Sequence, residues 1–171
     1  MALQSCDKKC SYVKELENEI KKLKIENEKL KRDNLTGVWN RHYLDEMLKN
    51  EYLPKINKGW EYNVFMIDIN DLHNYNRKYG YNEGDKYILN IINNIKKEMK
   101  KQNVSGSIFR TGGDEFLIFI QPYDNLCLKN VKNITYAKTK FKYPMLIRDV
   151  IKKLDKIIIN KKLNKNKKER I

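Results

Sequence analysis

The stretch from Ser107 to Ile120 constrains this chain more than any other. A strand-like run, Ser107 to Arg110, leads into Thr111-Gly112-Gly113-Asp114-Glu115 and then into the unbroken apolar run Phe116-Leu117-Ile118-Phe119-Ile120. Short apolar runs bounded by turn residues read as buried strands, and a Gly-Gly stretch between two of them predicts a β-hairpin. The hairpin places two acids at its tip. A further strand-like run, Tyr62 to Ile69, carries Asp68 at its exit, and Ile134 to Phe141 is expected to form another strand. Helical spacing appears at Tyr43, Leu44, Met47 and Leu48, and again at Tyr87, Ile88, Ile91, Ile92, Ile95 and Met99. Pro144 is expected to open a last helix with Ile147, Val150, Ile151, Leu154, Ile157 and Ile158 on one face. The order helix, strand, helix, hairpin, strand, helix predicts an α/β (α+β) fold whose mixed central sheet contains the antiparallel hairpin and is covered by helices.

Before this region, Val13, Leu16, Ile20, Leu23, Asn27 and Leu30 alternate spacings of three and four, with Asn34 next in the series. That is a heptad seam. With Ile20 and Asn27 at a positions, Glu19 and Glu26 at g face Lys24 and Lys31 at e of a parallel partner, both attractive pairs. An Asn at one a position pairs with its own copy across the seam, so a parallel homodimer through this helix is expected. Three heptads are few, and a single helix packed on its own domain is the competing reading. The expected division is therefore residues 1–32 as N-terminal helix and 33–171 as the main domain.

Composition narrows the partners. No apolar stretch approaches the roughly 18 residues of a membrane span. The start, Met1 to Asp7, lacks a basic segment followed by an apolar run, so no secretory signal is read and the cytoplasm is the expected setting. Cys6 and Cys10 have no second pair to complete a zinc site, and an odd total of 3 Cys suits a reducing compartment. Net charge is +14, yet from Leu126 onward 15 Lys and Arg face only Asp149, Asp155 and Glu169. Such a basic end could hold ligand phosphates or nucleic acid, but it lacks the interleaved aromatic residues of single-strand platforms and reads first as a solvated Lys-rich face.

The chemistry gathers at the carboxylates. Were the strands carrying Asp68 and the hairpin acids neighbours, Asp68, Asp114 and Glu115 would converge, at a repulsive cost that a cation removes. Hard oxygen ligands, few in number and with coordination left for phosphates, suit Mg²⁺. Gly112 and Gly113 would let a polyphosphate approach the backbone.

Three ordered blocks resemble the GGDEF family of diguanylate cyclases. Arg110-Thr111-Gly112-Gly113-Asp114-Glu115-Phe116 is similar to its naming signature; Asp33-Asn34-Leu35-Thr36-Gly37-Val38-Trp39-Asn40-Arg41 looks like its opening D-x-L-T-G-L-x-N-R. Phe65-Met66-Ile67-Asp68-Ile69-Asn70 through Asn76, Gly80 and Gly84-Asp85 resembles its D-I-D-x-F-K-x-x-N-D-x-x-G-H-x-x-G-D. The resemblance implies a palm-like domain that condenses two GTP into cyclic di-GMP as a dimer. It assigns Mg²⁺ (or Mn²⁺) to Asp68, the Ile69 carbonyl, Asp114 and Glu115, with Asp114 or Glu115 assisting deprotonation of the attacking 3′-hydroxyl. It assigns phosphate contacts to Gly112, Gly113 and Lys162, and guanine recognition to Asn76 and Asp85. An Asp accepts from guanine N1–H and N2–H while an Asn amide donates to O6, the reverse of adenine's pattern.

Several positions depart from that pattern. His73 stands at the phosphate-facing Lys position, Tyr81 at the usual His, Arg77 at an Asp, Asn70 at the second Asp and Asn166 at an Arg. His73 and Tyr81 remain substrate-site candidates. Gln121 to Ile134 is too short for the family's connecting helix, and Asn103-Val104-Ser105-Gly106 replaces the R-x-x-D of the inhibitory site. Two alternatives stand beside the cyclase: a catalytically degenerate domain that binds GTP or a cyclic dinucleotide, and a related palm polymerase making another cyclic oligonucleotide.

Overall fold

The structure, a computed structural model, describes residues 2–168, with side chains described over 12–165. It divides into two compact units, residues 1–32 and 33–171. The first is one helix, α1 (Ala2–Leu30). Its seam residues Val13, Leu16, Ile20, Leu23 and Leu30 are 45–75% exposed in the single chain. Cys6 and Cys10 lie outside the residues whose side chains are described, as does Asn166.

The second unit is built on a four-stranded sheet of order β2-β3-β1-β4, with β1 at Tyr62–Ile69, β2 at Gly106–Arg110, β3 at Glu115–Ile120 and β4 at Ile134–Phe141. β1 pairs antiparallel with both β3 and β4, and β2 pairs antiparallel with β3. The parallel component is one bridge, Trp39 to Phe109, on the outer edge of β2. It gives that edge backbone partners: Trp39 N–H donates to the Ile108 carbonyl at 3.0 Å and Arg110 N–H to the Trp39 carbonyl at 2.8 Å.

Because side chains alternate along a strand, the sheet sorts its apolar residues into two cores. Phe65, Ile67 and Ile69 of β1 join Phe116, Ile118 and Ile120 of β3 on one face, against α5 (Tyr81–Lys101), which contributes Ile88, Ile91, Ile92, Ile95 and Met99. The other face takes Val64, Met66, Leu117 and Phe119. It packs on α6 (Ile147–Lys168) through Val150, Leu154 and Ile158. Leu44, Leu48, Tyr52 and Ile56 also join this core; they come from α2 (Arg41–Met47), a π-helical turn at Leu48–Tyr52 and α3 (Leu53–Asn57). A sheet covered on both faces needs strands that are apolar at nearly every position, as β1 and β3 are.

α4 (Leu72–Tyr79) fills the turn between β1 and α5. From 121 to 133 the chain runs without a helix, as the short spacing predicts, and buries Leu126, Leu128 and Val131 under the α5 face. One boundary differs from expectation. Pro144 does not open α6: the helix begins at Ile147, and Pro144 sits in the preceding turn, where the Met145 N–H bonds the Lys142 carbonyl. The apolar face of α6 is the expected one. No described helix is long and apolar enough to cross a membrane.

Candidate active site at the β1–β3 end

The alternation that builds the second core also aims the acids. Val64, Met66 and then Asp68 project from β1 toward α6, while Phe119, Leu117 and then Glu115 project from β3 to the same side. Asp68 and Glu115 are direct cross-strand partners in the antiparallel register. Opposed residues of such a pair have Cβ atoms about 4.5–5.5 Å apart, and two like charges there repel. The register is closed by the Ile69 N–H, which donates to the Asp114 carbonyl at 3.0 Å. The strands thus bring together Asp68, Ile69, Asp114 and Glu115.

Two elements add charges that motif reading did not place here. Burial raises the Glu115 carboxyl above its ordinary value, and the negative charges of Asp114, Asp155 and Asp68 act in the same direction, while Arg41 opposes them. Asp155 comes from α6 and Arg41 from the first turn of α2. Helix periodicity contains the signal for Asp155, which precedes Lys162 by seven residues and so shares its face. Lys162 reaches the site itself: its Nζ donates to Asp68 Oδ1 at 2.5 Å, with the two side chains 39% and 17% exposed. Lys162 thus pairs with a strand carboxylate. Beside it, Asn70, Asp71, Thr135, Lys162 and Lys165 line a cavity of about 110 Å³, and Thr135 Oγ1 donates to Asn70 Oδ1 at 2.7 Å.

The glycine turn is clamped from below. Arg110 Nε donates to the Gly112 carbonyl at 3.2 Å and its Nη2 to the Gly113 carbonyl at 2.7 Å, while Nη1 reaches Asp33 Oδ1 at 3.1 Å. A Cβ on Gly113 would meet nothing within 4 Å, and one on Gly112 would lie 3.1 Å from Glu115 Oε2. The turn is open at Gly113 and close to the acid at Gly112.

The remaining candidates group at the α4–α5 junction. Asn76 packs against buried Gly84: a Cβ there would lie 1.6 Å from Asn76 Oδ1, so only glycine fits this contact. That oxygen is buried without a hydrogen-bond partner. Asp85 is exposed on the first turns of α5, and Tyr81, four residues earlier and 80% exposed, shares its helix face. His73 is exposed on α4.

Among the described residues, no three His, Cys, Asp or Glu side chains form a ready-made metal cage. The donor set nonetheless suits a hard divalent cation. Asp68 already takes a positive group, the Lys162 ammonium, and Glu115 is crowded by like charges that a cation would relieve.

Comparison with known proteins identifies the family and the fold. A family profile described as "Diguanylate cyclase, GGDEF domain" matches residues 30–157. Diguanylate cyclase DgcS of Shewanella oneidensis is 35% identical over 89 residues, which cover 52% of this chain and 29% of that protein. Probable diguanylate cyclase DgcC of Escherichia coli K12 is 30% identical over 89 residues, covering 52% and 23%. The chain thus spans less than a third of the length of these relatives. Among solved structures, the coiled coil and GGDEF domain of DgcB from Caulobacter crescentus, in complex with c-di-GMP, superposes with a TM-score of 0.76 at 15% identity, covering 96% of each chain. Diguanylate cyclase SiaD of Pseudomonas aeruginosa, in complex with its activator SiaC, gives 0.68 at 19% identity, covering 95% and 70%. At these identities the structural likeness speaks for the fold.

Proposed function

Since the chain belongs to the diguanylate cyclase GGDEF-domain family, we propose that it condenses two GTP into cyclic di-GMP with release of pyrophosphate, working as a homodimer with Mg²⁺ or Mn²⁺. The observation that carries this reading is the cross-strand pairing of Asp68 with Glu115, facing one side beside the open turn at Gly113.

In this reading Asp68, Asp114, Glu115 and the Ile69 carbonyl hold the metal. When bound, a divalent ion polarises the α-phosphate and offsets charge on the attacking and leaving oxygens. Glu115, or Asp114 beside it, takes the proton from the attacking 3′-hydroxyl. Gly112 and Gly113 leave the backbone approachable for phosphates, and Lys162 contacts them once it turns from Asp68. Asn76 donates to guanine O6 through its amide nitrogen, and Asp85 accepts from N1–H and N2–H. Tyr81 borders the base on the Asp85 helix face, and His73 lies one helical turn before Asn76 at the phosphate side. One site presents one nucleotide, so closing a ring of two needs a second copy opposite. The exposed seam of α1, with Asn27 at an a position, supplies a means of dimerisation.

A second reading has its own support. Lys162 on Asp68 and the lack of a ready-made cage among the described residues suit a domain that binds GTP or a cyclic dinucleotide without turning it over. Incubating the protein with GTP or ATP and Mg²⁺ or Mn²⁺, alongside Glu115→Gln, and resolving products by mass separates the readings. Cyclic di-GMP formed from GTP by the unmodified protein and lost in the variant supports the cyclase. Bound but unconverted GTP supports the binding module, and another cyclic product supports a related polymerase.

A further inference from the structure

We propose that the Lys162 ammonium serves as an internal counter-ion at Asp68 in the nucleotide-free protein and competes directly with a divalent cation for that carboxylate. The inference rests on the reading of Asp68 as a metal ligand given above. Its basis is a contact between α6 and β1 that links residues 94 positions apart: Lys162 Nζ lies 2.5 Å from Asp68 Oδ1. A hydrogen bond between an ammonium and a carboxylate belongs to the strongest class. The need for a counter-charge is built into the sheet, because Asp68 is the register partner of Glu115 and stands 17% exposed among further acids. Neutralising one member of such a pair from within lets the strands close without a bound ion.

The neighbouring residue shows that the contact is specific. Lys161 carries the same charge one residue away, yet its Nζ donates to the Tyr136 carbonyl at 2.7 Å and takes no part at Asp68. Of the two lysines, Lys162 is the one that contacts Asp68. Removing it frees a ligand, whereas removing Lys161 changes only the general field. The cavity beside Lys162, lined also by Thr135 and Lys165, gives its ammonium somewhere to turn when it leaves the carboxylate. Metal entry and the swing of Lys162 toward a phosphate then become one coupled exchange, and metal without nucleotide binds weakly.

The test uses Mn²⁺ alone, with no nucleotide, titrated into the full chain and followed by the loss of the free-ion electron paramagnetic resonance signal. Lys162→Met keeps the aliphatic stem and removes the charge. It is expected to tighten Mn²⁺ binding about five- to tenfold, as loss of a directly competing charge in a partly exposed site would. Lys161→Met should stay within about twofold, the size of a screened field effect, and Asp68→Asn should abolish binding. In the unmodified protein, Mn²⁺ should raise the reactivity of Lys162 toward an amine-directed reagent, read by peptide mass. Equal tightening by both Lys variants, or wild-type affinity in Lys162→Met with binding still dependent on Asp68, would overturn the competition and leave the metal reading intact. Absence of Mn²⁺ binding in the unmodified protein and in Lys162→Met would remove the metal reading and this inference together.

Discussion

Asp33 and Arg110, 77 residues apart, form a two-pronged ion pair in which Arg110 Nη1 lies 3.1 and 3.2 Å from the two carboxylate oxygens. Through this pair the turn that opens the second unit is tied to the glycine turn, because the same guanidinium holds the carbonyls of Gly112 and Gly113.

Asp33→Asn should destabilise the fold by about 1.5–3 kcal/mol at neutral pH, the range for hydrogen bonds to charged groups. Burial opposes ionisation of Asp33, but hydrogen bonds from Thr36 and Arg110 outweigh it and hold the carboxyl below its ordinary 3.8. A lowered native pKa means that the contribution is full above 3.8 and fades as the pH falls through the native value. Urea denaturation of wild type and variant should therefore show a gap at pH 7 that narrows below pH 3.8.

Gly84→Ala and Gly106→Ala should separate binding from stability. A Cβ at Gly84 meets the end of the Asn76 side chain at 1.6 Å, whereas one at Gly106 meets the Phe119 carbonyl and Ile120 Cγ2 at 2.5 Å. The Gly106 variant is expected to lose about 1–3 kcal/mol in denaturant titration, as overpacked sites do. The Gly84 variant should expel Asn76 and weaken GTP binding by calorimetry more than it lowers the melting temperature.

Much of this architecture is legible in the chain because the strands are covered on both faces. Tyr62–Ile69 and Phe116–Ile120 must then be apolar at nearly every position, and turn residues mark their ends. The acids are legible at strand ends for the same reason. What is not legible is the convergence of α2 and α6 on them. Arg41 and Asp155 are distant in sequence from Glu115, and their approach depends on which sheet face each helix covers. Lys162 reads as a phosphate contact because its pairing with Asp68 exists only after α6 docks. Pro144 differs from expectation for a local reason: it suits a first helical turn, but here it lies in the turn that the Met145 N–H closes on the Lys142 carbonyl, before α6 starts at Ile147.

Asp85→Asn should erode the preference for GTP over ATP by about 10- to 100-fold, since the variant amide can no longer accept from both guanine donors as a carboxylate does. Competition binding of the two nucleotides against the unmodified protein reads this directly. Loss of affinity for both nucleotides in equal measure would assign Asp85 to positioning of the α4–α5 junction.

Sedimentation should find the full chain dimeric at micromolar concentration and Ile20→Asp monomeric. A charge at an a position is incompatible with a closed seam, whereas on a solvated face it would change nothing.

In the proposed mechanism Asp68 and Glu115 grip a triphosphate through a shared divalent ion. Calorimetric titration of a non-reacting GTP analogue, with Mn²⁺ and with chelator, into the unmodified protein and Asp68→Asn tests it most directly. The predicted result is binding that falls at least about tenfold on chelation, one factor of ten being 1.4 kcal/mol, with Asp68→Asn insensitive to the metal. Equal affinity with and without Mn²⁺ in both proteins would contradict it.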